Sequence, residues 1–208
     1  MKRKKLEWAL SALDSFESPQ VSLEQYATPS ALACDVLLTA FHNGDIADRL
    51  VADLGCGCGV LAVGASLLGA GALLCADVDE RALEICRTNV SDSLPTVSVD
   101  LLLADVRQLG WRAFSVDTVI MNPPFGTKNN QGIDVAFLKA AFATAGVAVY
   151  SLHKSATRSH ILSVGEKAGW TARVVAQLRY DLPATYKFHK RDSVDIHVDL
   201  VHFTRRKP

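Results

Sequence analysis

Asn122-Pro123-Pro124-Phe125 is the segment of this sequence with the most specific chemistry. The Asn122 side-chain oxygen and the Pro123 carbonyl accept hydrogen bonds, and neither proline has an N–H to donate. Such a site suits a partner with two protons to give, a planar amino or amide NH2. That nitrogen is a poor nucleophile, because its lone pair is delocalised into a ring or carbonyl. Two acceptors aimed at its hydrogens favour a tetrahedral nitrogen and turn the lone pair towards an electrophile such as a sulfonium methyl. Holding the two in line at ~3–3.5 Å supplies much of the rate by proximity. No strong general base is needed, since the proton becomes acidic only as the new bond forms. Phe125 can stack on the planar group. The purely structural alternative is a turn with two prolines and a packing phenylalanine.

A second signal lies upstream, in Asp53-Leu54-Gly55-Cys56-Gly57-Cys58-Gly59. Alternating glycines let the backbone turn sharply and approach a ligand, because no Cβ stands in the way. The spacing is G-x-G-x-G, which differs from the G-x-G-x-x-G of dinucleotide folds, and no Walker lysine follows. Asp77 stands about as far on as the ribose-binding acid of dinucleotide folds, where a carboxylate can accept both hydroxyls of a ribose. Asp105 is a short acid that can take a hydrogen bond from an adenine amino group. Each acid alone is equally a cap or turn residue. Together they place a glycine turn and two acids at successive strand ends, where open α/β sheets bind ligands.

The elements that must position these residues alternate. Helices are expected over Lys4–Ser15 and Ser30–Phe41, the second opened by Pro29 and Ser30. Strands at Leu50–Leu54, Ala72–Val78, Val97–Ala104 and Thr118–Met121 enclose helices at Gly59–Leu68 and Glu80–Val90. A helix at Asp134–Ala145 leads into a strand at Val147–Tyr150, and another helix covers Ser155–Ala168. Thr171–Arg179 and Val194–Thr204 close the chain. In the last, Val194, Ile196, Val198 and Leu200 alternate with Asp195, His197, Asp199 and Val201, the period of an antiparallel strand. The fold class is therefore α/β, a Rossmann-like three-layer sandwich whose mostly parallel seven-stranded sheet ends in an antiparallel hairpin. With 208 residues and no linker or repeat, one domain over 1–208 is expected. In it, 1–45 forms a helical segment over the cleft and 46–208 the core.

Twenty-two basic residues balance 22 acidic ones, so net charge alone implies no nucleic acid. Near the end, however, Tyr186, Phe188 and His189 interleave with Lys187, Lys190 and Arg191, a mixture that suits stacked bases and phosphates of single-stranded RNA. The five cysteines are odd in number and two sit in the glycine turn, which argues against a disulfide framework and for a reducing compartment. Cys56-Gly57-Cys58 is too short for a C-x-x-C metal motif, and no metal is expected. The basic N-terminus precedes an amphipathic stretch rather than an apolar one, so neither a signal peptide nor a membrane span is expected.

The glycine loop, the distal acid and the Asn-Pro-Pro-Phe segment, in this order, resemble class I S-adenosylmethionine-dependent methyltransferases of amino groups. LEQYATP, VADLGCGCGVL, VIMNPPFGTKNN, VYSLHKS and LRYDLPATYKFHK resemble, over nearly the whole chain, the eukaryotic methyltransferase-like family that modifies one adenosine of small-subunit ribosomal RNA. The resemblance implies N6-methyladenosine formation with S-adenosylmethionine as cofactor, and a nuclear, nucleolar and cytoplasmic location. It implies that Gln25 and Thr28 line the cofactor site with Gly55, Cys58, Val60, Asp77 and Asp105. It also implies a small zinc-binding activator subunit. Strand 97–103, at the sheet edge in that fold, has no proline or lysine and one charge, so strand addition by the activator is expected there. Leu101-Leu102-Leu103 imply that both faces of this strand are covered; the N-terminal helix over the edge is the alternative. Two other functions stay open: methylation of a protein glutamine amide, which presents the same two hydrogens, and a non-catalytic binding module.

Overall fold

The computed structural model describes all residues except 94–96, 127–129, 184–192 and 206–208, with the backbone alone at 181–183 and 193–195. Seven strands form one sheet: β1 Leu50–Leu54, β2 Ala72–Asp77, β3 Ser98–Leu103, β4 Val116–Met121, β5 Ala145–Lys154, β6 Trp170–Pro183 and β7 Ser193–Arg205. Their order is β3-β2-β1-β4-β5-β7-β6. The first five strands pair in parallel, and β7 runs antiparallel between β5 and β6. Helices α1 Arg3–Ser11, α2 Ser30–His42, α3 Val60–Leu67 and α4 Glu80–Ser93 share one apolar cluster, and α5 Ile133–Thr144 and α6 Arg158–Lys167 belong to the other. The period of two in the buried strands builds both layers at once. Val51, Cys75, Ile120 and Tyr150 face the first cluster; Ala52, Ala76, Val119, Met121 and Val149 face the second.

The expected order and kind of elements hold, and the differences have local causes. The first helix stops at Ser11 instead of Ser15. Beyond it, the backbone is bonded to a distant helix: Asp14 N donates to Asn89 Oδ1 at 2.9 Å, and Asn89 Nδ2 donates to Asp14 O at 2.9 Å and Cys58 O at 2.8 Å. The helix expected from Ser155 begins as a 3-10 turn at Ser155–Thr157. There Ser155 Oγ donates to Asp199 at 2.7 Å, and Arg158 holds the same carboxylate with two bonds of 2.6 and 2.8 Å. Asp199, expected on a polar face of β7, is thus fully buried with its charge paired. The third strand is covered on both faces only in part: Val99 and Leu101 pack beneath α4 and Leu102 packs against the second cluster, but Ser98 and Asp100 are exposed and Leu103 is 57% exposed. Among the described residues the strand pairs only with β2, and α1 packs against α2 and α3 instead of covering this edge.

Candidate functional site

The cleft opens where the parallel strands end, as the switch in strand order between β1 and β4 requires. Beyond β1, the chain turns through Gly55 to Gly59, and Gly55 N and Cys56 N donate to Ala76 O on β2 at 2.8 and 3.1 Å. All three glycines of the turn have positive φ and a neighbour within 3.0 Å of where a Cβ would lie, and two of them illustrate it. Gly57 has φ +51°, and a Cβ there would lie 2.9 Å from the Phe16 ring; Gly59, at φ +84° before α3, would place one 2.6 Å from Cys86 Sγ. The bare turn is a concave wall that runs straight into the start of α3.

Acids stand along this wall. Asp77, ending β2, accepts from Gly57 N at 2.8 Å and Asp79 N at 3.0 Å, so it shapes the glycine turn as well as facing the cleft. Burial pushes its pKa up, and these backbone donors oppose that shift. Asp53 is almost completely buried: Oδ2 accepts from Ala62 N at 3.1 Å, and Oδ1 has no partner. Burial raises its pKa well above the ordinary 3.8. A carboxyl that binds its proton more tightly when folded loses stability as pH rises above its unfolded pKa. Asp53→Asn is therefore expected to gain stability relative to the native chain as pH rises above about 4, with Tm moving by roughly 2–4 °C per kcal/mol. Thermal melts with parallel pH profiles for the two proteins would contradict this.

Asp105, after β3, sits on the same wall with its carboxylate held by Arg107, through Nε at 2.8 Å and Nη2 at 2.6 Å. The guanidinium keeps this carboxyl below its usual range. Cys58 and Val60 complete the floor, and burial pushes the Cys58 thiol up to about 12. Residues Ser22 to Thr28 form a strap over the cleft. One end is tied to the β2 side, where Gln25 Nε2 donates to Asp79 Oδ2 at 2.6 Å. Across the cleft, Asn130 Nδ2 donates to Ser22 O at 2.9 Å and Glu24 Oε1 at 3.1 Å.

Asn122 follows β4 and faces the cleft. Its Nδ2 donates to Thr28 Oγ1 at 3.0 Å and approaches the Tyr180 hydroxyl at 3.5 Å. Its Oδ1 is buried and has no partner. A buried acceptor left over in this way is costly unless a ligand donor fills it. Pro124 lines the cleft beside it, while Pro123 is buried and Phe125 stands towards β5 and β6. The Phe125 ring meets Tyr180 edge-on at 5.7 Å and lies 5.9 Å from Lys154 Nζ.

One cleft of about 230 Å³ thus gathers Gln25, Thr28, Gly55, Cys58, Val60, Asp77, Asp105, Asn122 and Pro124. Tyr186, Lys187, Phe188, His189, Lys190 and Arg191 lie outside the described residues. Phe16, Arg107, Phe137 and Tyr180 were given no role by sequence reasoning: Phe16, Phe137 and Tyr180 (the last inside a quoted motif) come from other elements, Arg107 turns back onto Asp105 two residues away, and none has a spacing to betray it. Asn130 lay within a quoted motif, but its bond to the strap is a long-range contact. Among the described residues no cluster of His, Cys, Asp or Glu is placed to hold a metal ion.

Residues 31–148 match the methyltransferase small domain family. Over 98% of its length, the chain is 52% identical to an rRNA N(6)-adenosine-methyltransferase of Danio rerio, covering 99% of that protein. It is 40% identical to a Caenorhabditis elegans protein of the same name, with 99% of each chain covered. A crystal structure of a candidate RNA methyltransferase from Pyrococcus horikoshii superposes with a TM-score of 0.87 at 35% identity, covering 99% of this chain and all of that one.

Proposed function

The chain belongs to the rRNA N(6)-adenosine-methyltransferase family and carries its methyltransferase small domain, and on that premise we propose that it methylates N6 of one adenosine in small-subunit ribosomal RNA. The observation that carries this reading is Asn122, on the cleft wall: its amide nitrogen is engaged and its oxygen is buried without a protein partner. An acceptor in that position suits a nitrogen with hydrogens to donate.

The donor set suits S-adenosylmethionine. The glycine turn presents bare backbone to the cleft, and Asp53 Oδ1 is a buried acceptor without a partner, fit for the amino group of the methionine end. Asp77 would take the ribose hydroxyls, and Asp105 the adenine amino group, with Gln25 fixing the strap above them. When bound, the cofactor supplies an electrophilic methyl group on a sulfonium. The chain's own work is at the target base. Asn122 Oδ1 and the Pro123 carbonyl accept its two amino hydrogens, Phe125 stacks on the ring, and the strap excludes water. The proton leaves once the amine has become cationic, so no side chain need act as a strong base.

We read residues 1–208 as one catalytic domain, 1–45 closing the cleft and 46–208 forming the core. It is the catalytic subunit of a heterodimer with a small zinc-binding activator seated on β3, and it works in the nucleus, nucleolus and cytoplasm. RNA is held by the basic and aromatic residues Tyr186 to Arg191, between β6 and β7. Asp77→Ala tests the cofactor assignment. Losing a charged hydrogen-bond partner costs about 1–3 kcal/mol, or roughly 5- to 150-fold in affinity. Calorimetry with S-adenosylmethionine reads that loss directly, and unchanged affinity would overturn the role of Asp77.

A further inference from the structure

The two ends of an asparagine amide have nearly the same shape and opposite hydrogen-bonding character. If Asn122 turned over, its NH2 would face the target nitrogen, and a donor would meet donors. Something must therefore select the orientation. Two hydroxyls touch Nδ2, those of Thr28 at 3.0 Å and Tyr180 at 3.5 Å. The Thr28 hydroxyl does not select by itself, because it rotates and can donate to an oxygen as readily as it accepts from a nitrogen. Tyr180 differs. Its O–H donates to the backbone carbonyl of Ala27 at 3.3 Å, so towards Asn122 its oxygen can only accept.

The tyrosine is well fixed for this. It sits on β6, the strand at the far edge of the sheet, and is 1% exposed. Its ring stands edge-on to Phe125, with an interplanar angle of 78°. Burial pushes its hydroxyl up to about 12, so at neutral pH it keeps the proton that Ala27 receives. We propose that Tyr180 is a positioning residue for methyl transfer, setting the orientation of the Asn122 amide so that Oδ1 faces the target nitrogen. The inference rests on the reading of Asn122 as the acceptor for that nitrogen. It also gives the contact between strap and sheet a purpose, because Ala27 and Thr28 belong to the strap.

Tyr180→Phe removes the oxygen and keeps the ring and its contact with Phe125. With the activator-bound enzyme and its RNA, kcat should fall about 5-fold, the equivalent of one hydrogen bond of about 1 kcal/mol. KM for S-adenosylmethionine and the melting temperature should stay near those of the native protein, which a merely structural role would not allow. Asn122→Asp provides the orientation control, since a carboxylate has an acceptor at either end. Whatever rate that variant keeps, adding Tyr180→Phe should not lower it further. A change in kcat below 2-fold for Tyr180→Phe, or equal losses in the native and Asn122→Asp backgrounds, would overturn the proposal. If Asn122→Ala keeps more than a tenth of the native rate, the reading of Asn122 itself has failed; if Asn122→Ala falls below that and Tyr180→Phe changes kcat by less than 2-fold, only the role of Tyr180 has.

Discussion

Asn122→Ala is expected to slow methyl transfer 10-fold or more while leaving S-adenosylmethionine affinity almost unchanged. The side chain contacts Thr28 and Tyr180, and its remaining oxygen has no protein partner to satisfy. Its contribution should therefore appear when the target nitrogen becomes tetrahedral, and not when cofactor alone binds. A 10-fold loss corresponds to about 1.4 kcal/mol of transition-state stabilisation. Single-turnover rates at saturating cofactor separate this from binding. A variant that keeps more than a tenth of the native rate would show that the acceptor does little, and the account of the chemistry would fall with it.

Val99→Pro is expected to release the proposed activator. β3 is a six-residue edge strand paired on one side only, with Leu103 57% exposed at its end. A strand with one free edge and exposed apolar side chains is suited to pairing with another chain. Proline removes one backbone N–H from it, and an interface partner left without its bond costs about 1–3 kcal/mol. Leu103→Glu is the companion variant: it leaves the ladder to β2 intact and forces the interface to bury a charge, which is costlier still. Both proteins should stay folded by circular dichroism and lose the co-purifying activator. Full recovery of the activator with both variants would place the interface elsewhere.

The same strand shows where the sequence is hard to read. Its position at the edge follows from the family's strand order, and the sheet has that order. Three leucines in a row suggested cover on both faces; Leu101 and Leu102 are partly covered, one on each face, yet helix α4 leaves Leu103 bare. Apolar runs report what could be buried; which part is covered depends on where a neighbouring helix lies. The glycine turn, Asp77, Asp105 and Asn122 were legible because each follows a strand end, and parallel strands bring their ends together. Gln25 and Thr28 came from resemblance, and the structure adds their immediate partners, Asp79 and the Asn122 amide. Tyr180 and Arg107 were not legible. One meets Asn122 across 58 positions of sequence and the other turns back on Asp105 two residues away, and neither contact has a periodic signature.

The central claim is that this chain methylates N6 of an adenosine in ribosomal RNA. The most direct test incubates the purified protein, with and without the proposed activator, with methyl-labelled S-adenosylmethionine and either small-subunit ribosomal RNA or a protein substrate presenting a glutamine amide. The RNA is then digested to nucleosides and the protein to amino acids, and both are resolved by mass spectrometry. The account predicts label in N6-methyladenosine from the RNA, lost with Asn122→Ala. Label in methylglutamine, or cofactor binding without any labelled adenosine, would contradict it.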